Sequence, residues 1–207
     1  VDLSPDMLQH AKAKYPELSF QAFDATCDFE TLSTQFDVIF SNACIQWVPD
    51  HPRLLRNMQQ TLKPGGVLAV QIPMNQNEPI HQIIQALVTS AAWRSKFPSP
   101  RIFYTLTPEE YFDLLSELFE DFSIWETTYC HRMPSHQSIL EWYRGTGLRP
   151  YLAALSPEDA AALEADVLRE LQQAYPIQKN GEILFRFPRF FLTATKAAAS
   201  TGKEDPA

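Results

Sequence analysis

Glycine is scarce in this chain, six among 207 residues, and the first is Gly65. A nucleotide-binding α/β unit opens on a glycine-rich turn, and no such turn stands ahead of Gly65. Cysteine is scarcer still. Cys27, Cys44 and Cys130 lie far apart with no Cys-x-x-Cys pair. That spacing suggests neither a zinc site nor a disulfide framework, and it makes a reducing cytoplasm the expected compartment. No apolar run approaches the length of a membrane span, and no secretory signal is visible. Basic residues are outnumbered, 17 against 25 acidic, for a formal charge of −8. A surface of that sign argues against nucleic acid as the main partner. The chain also opens on Val1 rather than Met.

What remains is ample for a core, with 45% hydrophobic and 12% aromatic residues. The length fits one domain, or one domain with a sizeable insertion. Val1-Asp2-Leu3 has the look of a strand's tail, and Ser4-Pro5-Asp6 the look of a helix start, with cap, first-turn Pro and favourable charge. Met7, Leu8, Ala11 and Tyr15 fall on one helical face. Leu18 to Phe23 forms a short strand closed by Asp24. "FDVIFSN" (36–42) is the nearly continuous apolar run of a strand buried on both faces. A helix through Leu54, Leu55, Met58 and Leu62 stops at "LKPGG", and "VLAVQIP" makes another buried strand. This alternation predicts a doubly wound, Rossmann-like, mostly parallel sheet with helices on both faces.

Beyond Pro73 the pattern changes. Helices are predicted over Pro79 to Trp93 and Pro108 to Phe119, the second opening on a Thr107/Glu110 capping box. "FSIWETTY" (122–129) predicts a strand. Helices over about 135–174 form an insertion before a last strand, "EILFRFPRFFLTATK", in which Pro188 marks a bulge or an edge. The domain is expected to span 1–196, with 197–207 a disordered tail.

Three polar residues stand at three successive strand ends: Asp2, Asp24 and Asn42. In a doubly wound sheet the ligand sits at the carboxyl ends of the strands, and an acid after the glycine turn binds the ribose hydroxyls. Asp2 fits that acid, or is a helix N-terminal charge; Asp24 fits a second, or forms a turn before Cys27. A complete unit needs a strand, glycine loop and helix upstream, so the chain is expected to begin after its own glycine loop. "VDLSPDMLQHAKAKYP", "FQAFDA", "FDVIFSNACIQWVPD" and "LKPGGVLAVQIP" resemble the successive post-glycine motifs of class I S-adenosylmethionine-dependent methyltransferases. "SNACIQWVPDH", "TTYCHRMPSHQSILEWYRGTGLRPYL" and "YPIQKNGEILFRFPRFFLTATK" narrow the resemblance to the trans-aconitate methyltransferase family, over most of positions 1–196. The family's Asp-x-Gly-x-Gly-x-Gly-type loop has no counterpart here.

The resemblance implies S-adenosyl-L-methionine as cofactor. It gives Asp2 the ribose hydroxyls, Leu3 the adenine face, and Asp24 with Ala25 the adenine amino group. Ser41 and Asn42 would line the side where sulfonium meets substrate. The implied reaction is methyl transfer to a carboxylate of trans-aconitate or a similar small tricarboxylate, forming a monomethyl ester. A carboxylate is already ionised at neutral pH, which agrees with a sequence offering no catalytic dyad and no metal-ligand pattern. The anion has two basic islands to choose from. Arg132, Arg144 and Arg149 stand with His131 and His136 against Glu141; Lys179, Arg186, Arg189 and Lys196 stand against Glu182. Arg149, in a loop after Gly147, and Arg189, after Pro188, are placed like bidentate clamps, though solvated or salt-bridged arginines would look the same. Gln46 and Trp47 past a strand end, and the hydroxyls of Tyr129 and Tyr143, complete the candidate substrate site. His131 and His136 are expected to be structural. Rival readings are a methyltransferase for another carboxylate such as a carrier-bound acyl group, a nicotinamide-dependent oxidoreductase, and a non-catalytic remnant. Oligomeric state is not legible.

Overall fold

A computed structural model describes residues 1–199 as an α/β fold; the expected disordered tail lies outside the described residues from position 200 on. Four strands, β1 (Phe36–Asn42), β2 (Leu62–Pro73), β3 (Asp121–Met133) and β4 (Ile183–Thr195), form one sheet in the order β1-β2-β4-β3. Contacts divide the described residues into two compact units, one built from 1–72, 104–125 and 191–199, the other from 73–103 and 126–190.

The first unit carries the βαβ step. β1 and β2 pair in parallel, with Val38 opposite Val67 and Asn42 opposite Gln71, and α2 (His51–Thr61) is the crossover between them. α2 buries Leu54, Leu55 and Met58 and packs with α4 (Pro108–Leu118), which buries Tyr111, Leu114 and Leu115. The Thr107/Glu110 capping box starts α4 as its sequence predicts. The expected helix stop at "LKPGG" becomes the first part of β2. Gly65 donates its amide to the Lys196 carbonyl at 3.0 Å, and Lys196 donates its own to Gly66 at 2.9 Å. A Cβ on Gly66 would lie 2.9 Å from the Lys63 carbonyl and 3.0 Å from that of Phe36, so only glycine lets these backbones approach.

Two expectations for this unit are corrected. β1 is not buried on both faces: it is an edge strand, and Val38 and Phe40 are 58% and 72% exposed. Its apolar composition could not reveal that only one flank is paired. Leu18 to Phe23 is not a full strand; it joins the segment before it through a single parallel bridge, Asp2 to Ala22. α1 (Pro5–Lys14) starts as predicted, with the Met7 amide donating to Ser4 Oγ, but only Leu8 of its apolar face is buried.

The second unit has a core of its own. Ile80, Ile84 and Val88 of α3 (Pro79–Thr89) meet Ile139, Leu140 and Tyr143 of α5 (His136–Arg144). Leu163, Val167 and Leu171 of α7 (Pro157–Ala174), with Ile183 and Phe185 of β4, close the cluster. α3 stops at Thr89, earlier than the predicted Trp93, because Ser90 turns to an extended backbone. The helical insertion expected over 135–174 lies inside this unit. Pro188 is not on an edge: β4 is an inner strand. Proline is tolerated there as a residue that still accepts, its carbonyl taking the Met74 amide at 3.1 Å.

Candidate functional site

The first unit holds Asp2, Asp24 and Asn42, of which only Asn42 ends a strand. The Asp2–Ala22 bridge sets Asp2 beside the segment that leads to Asp24. Asp2 Oδ1 accepts the Ser4 amide at 2.8 Å, which leaves its other oxygen free to accept. Leu3 is 66% exposed, an apolar side chain open to a ligand face. Asp24 Oδ1 accepts both the hydroxyl and the amide of Thr26, at 2.7 and 2.8 Å, and these bonds hold its carboxyl below the usual range. Asp24 therefore forms a turn, and Ala25 sits half-buried within it. Beyond β1, burial raises the Cys44 thiol above its usual pKa and the Asp2 carboxylate adds to the effect, so Asp2 lies near the loop that leaves β1. At the end of that strand Ser41 Oγ is buried without a hydrogen-bond partner, and Asn42 beside it is exposed.

The loop from β1 to α2 is a shaped turn. Its middle, Ile45–Trp47, is one turn of 3-10 helix. Ala43 and Asp50 flank it, both in the left-handed region with φ of 51° and 56°. Asp50 also caps α2, accepting the Arg53 amide at 3.1 Å. Gln46 is buried, its Nε2 donating to the Ala43 carbonyl at 2.9 Å while Oε1 has no partner. Its backbone carbonyl accepts the Tyr104 amide at 2.9 Å. Trp47 is half-buried. Two residues that sequence reasoning missed support this turn from behind, His51 and Tyr111. Neither carries a signal that a single sequence exposes: one starts a helix and the other fills an apolar stripe.

In the second unit several cations of the basic islands are held in ion pairs. Arg132 binds Glu182 through two bonds of 2.7 and 2.8 Å. Arg144 binds Glu164 through two of 2.6 and 2.9 Å. Arg186 lies 3.7 Å from Glu78. In the first unit, Lys196 donates to the Leu62 carbonyl at 2.6 Å. Arg189 is different. It is half-buried, stacked with its guanidinium 4.2 Å from the centroid of Phe187. Burial lowers its pKa, while Tyr129 and Tyr143 are close enough to offset part of that. Tyr143 is buried and shares a 3.0 Å hydrogen bond with His81 Nε2, another residue the sequence did not flag. Burial pushes His81 down to about 4, so it is neutral near pH 7. Tyr129 is 47% exposed and stacks on His131. Arg149 is exposed and opens the one-turn helix α6 (Arg149–Leu152) rather than sitting in a loop. The local Leu148-Arg149-Pro150 sequence explains the difference, since Pro suits a first helical turn. His136 Nε2 lies 2.8 Å from the Tyr175 carbonyl, and His131 packs edge-to-face on Trp142.

Residues 1–70 match the family described as "Methyltransferase domain". The YcgJ protein of Bacillus subtilis shares the fold at a TM-score of 0.52 and 15% identity, with 95% of this chain and 81% of that one covered. The [4+2]-cyclase SpnF aligns at 0.50 and 16%, covering 95% and 64%. A cyclase among such neighbours shows that this fold does not specify a reaction. The sequence is more specific. Trans-aconitate 2-methyltransferase of Methylobacterium radiotolerans is 40% identical over 202 residues, 96% of this chain and 77% of the relative. The Escherichia coli protein of the same name is 38% identical over 196 residues, 95% and 75% of the two lengths. With the strand-end polar residues, the shaped Gln46–Trp47 turn and this identity over nearly its whole length, the chain belongs to the trans-aconitate 2-methyltransferase family.

Proposed function

We propose that this protein methylates one carboxylate of trans-aconitate, with S-adenosylmethionine as the donor, to give a monomethyl ester. When bound, that cofactor supplies an electrophilic methyl group on a sulfonium. The residues present suit such a ligand. Asp2 offers a carboxylate oxygen to ribose hydroxyls, Leu3 an exposed apolar face to adenine, and Asp24 with Ala25 a polar turn to its edge. Ser41 Oγ and Gln46 Oε1 are buried polar atoms without partners, the state expected of groups that complete their hydrogen bonds on a ligand. Ser41, Asn42, Gln46 and Trp47 form the wall next to the reacting centre.

The observation that carries the substrate class is Arg189. A half-buried guanidinium stacked on Phe187 and flanked by Tyr129 and Tyr143 suits a carboxylate, because a desolvated planar fork binds one bidentately. Arg149 is a second, exposed candidate. The nucleophile is ionised at neutral pH and needs no base. The protein's contribution is alignment and exclusion of water. The three cysteines, free and far apart in sequence, support a reducing, cytoplasmic setting. Initial rates with trans-aconitate, smaller dicarboxylates and a carrier-bound acyl group test the reading. The highest kcat/KM should belong to trans-aconitate; a preference for the carrier-bound acid would overturn it.

A further inference from the structure

His51 and Tyr111 form a buried pair, 1% and 0% exposed. His51 Nε2 lies 3.0 Å from the Ile45 carbonyl, and Nδ1 lies 2.6 Å from Tyr111 Oη. A carbonyl can only accept, so Nε2 carries the ring proton. Nδ1 then offers a lone pair, and the Tyr111 hydroxyl donates to it. One tautomer therefore joins α4, through the α2 N-terminus, to the backbone of the turn that carries Gln46 and Trp47. That turn needs external support. Its two flanking residues, Ala43 and Asp50, are held in the left-handed region, and such strain persists only where the surroundings over-determine it. We infer that His51 and Tyr111 are positioning residues for methyl transfer, holding the Ile45–Trp47 turn so that Gln46 and Trp47 stand at the end of β1. The inference rests on the proposed function for its kinetic consequence, though not for the structural hold itself.

Tyr111→Phe is the sharpest variant, because it keeps the ring and deletes the hydroxyl that donates to His51 Nδ1. His51→Gln removes the imidazole. Both should lower kcat on trans-aconitate roughly tenfold, since small misplacements of positioning groups carry costs of that order. The KM for S-adenosylmethionine should stay within about twofold, as the ribose-binding end is untouched. Two readouts do not depend on turnover. The indole N–H resonance of Trp47, assigned with Trp47→Phe, should shift or broaden in Tyr111→Phe, and the amides of Trp47 and Val48 should exchange faster. A Tyr111→Phe protein with an unmoved Trp47 resonance and unchanged exchange would overturn the inference, even if its melting temperature fell. So would a loss of cofactor and substrate affinity together with kcat unchanged. If the parent enzyme failed to methylate trans-aconitate, the functional reading would fall, while the resonance and exchange results would still decide the hold on the turn.

Discussion

At Arg189 a charge is kept half out of water by an aromatic ring and two tyrosines, a costly placement for a cation with only a structural task. Lysine keeps the charge at this position but loses the planar fork and the stacking on Phe187. Arg189→Lys is expected to lower kcat/KM for trans-aconitate at least tenfold, about 1.4 kcal/mol, and to leave the cofactor KM as it was. Added salt separates it from Arg149. A contribution from exposed Arg149 should fade as ionic strength rises, and one from half-buried Arg189 should persist. Equal losses on every acid, or a salt dependence shared by both sites, would return these arginines to structural roles. Asp2→Ala should act on the other ligand. It is expected to raise the cofactor KM by roughly tenfold through the loss of charge-assisted hydrogen bonds, with the substrate KM little changed. An unchanged cofactor KM would leave Asp2 as a cap on the Ser4 amide. At this scale the sequence was informative about where a strand ends, as at Asn42. It was silent where a residue's role depends on its partner. Arg132 and Arg189 look alike in the sequence, and only the structure shows the first bound to Glu182 and the second stacked on Phe187.

Between elements, α3 and α5 are linked by the hydrogen bond between His81 and Tyr143, and the burial of His81 there makes stability depend on pH. Folded His81 titrates at about 4 against an ordinary 6.5. Between those values the unfolded chain binds a proton that the folded chain does not, so stability rises with pH. The contribution is complete above about pH 6.5 and is lost as the pH falls towards 4, by about 3 kcal/mol at most. Urea unfolding should show the drop, and His81→Gln should remove at least half of it. A pH profile identical in the two proteins would show that other groups carry the acid sensitivity. Burial also lowers His51 and adds in the same direction. The helices were the most legible elements, because their start signals are local: Thr107 with Glu110 and Ser4 with Pro5. The strands were less so. The composition of "FDVIFSN" identifies a strand but cannot say whether both flanks are paired, and Pro188 suggests an edge to anyone who cannot see that its carbonyl is the group in use.

For the whole molecule, fold and family were legible for different reasons. The α/β architecture follows from periodicity and turn chemistry, and structures at 15% and 16% identity share it while differing in what their names say they do. The narrower family followed from long particular stretches such as "SNACIQWVPDH". The buried support behind those stretches, His51 with Tyr111 and His81 with Tyr143, was not legible because it joins residues 60 and 62 positions apart. A net charge of −8 opposes the approach of a trianion, so binding must rely on a local site rather than on the general field. The most direct measurement is product identification. The purified enzyme is incubated with methyl-labelled S-adenosylmethionine and trans-aconitate, and the small-molecule product is isolated and analysed by mass spectrometry. A single labelled methyl group on one carboxylate, released by mild base as methanol with trans-aconitate regenerated, is the predicted result. A label recovered in a base-stable linkage, or in no small acid while the cofactor is consumed on another acceptor, would contradict it.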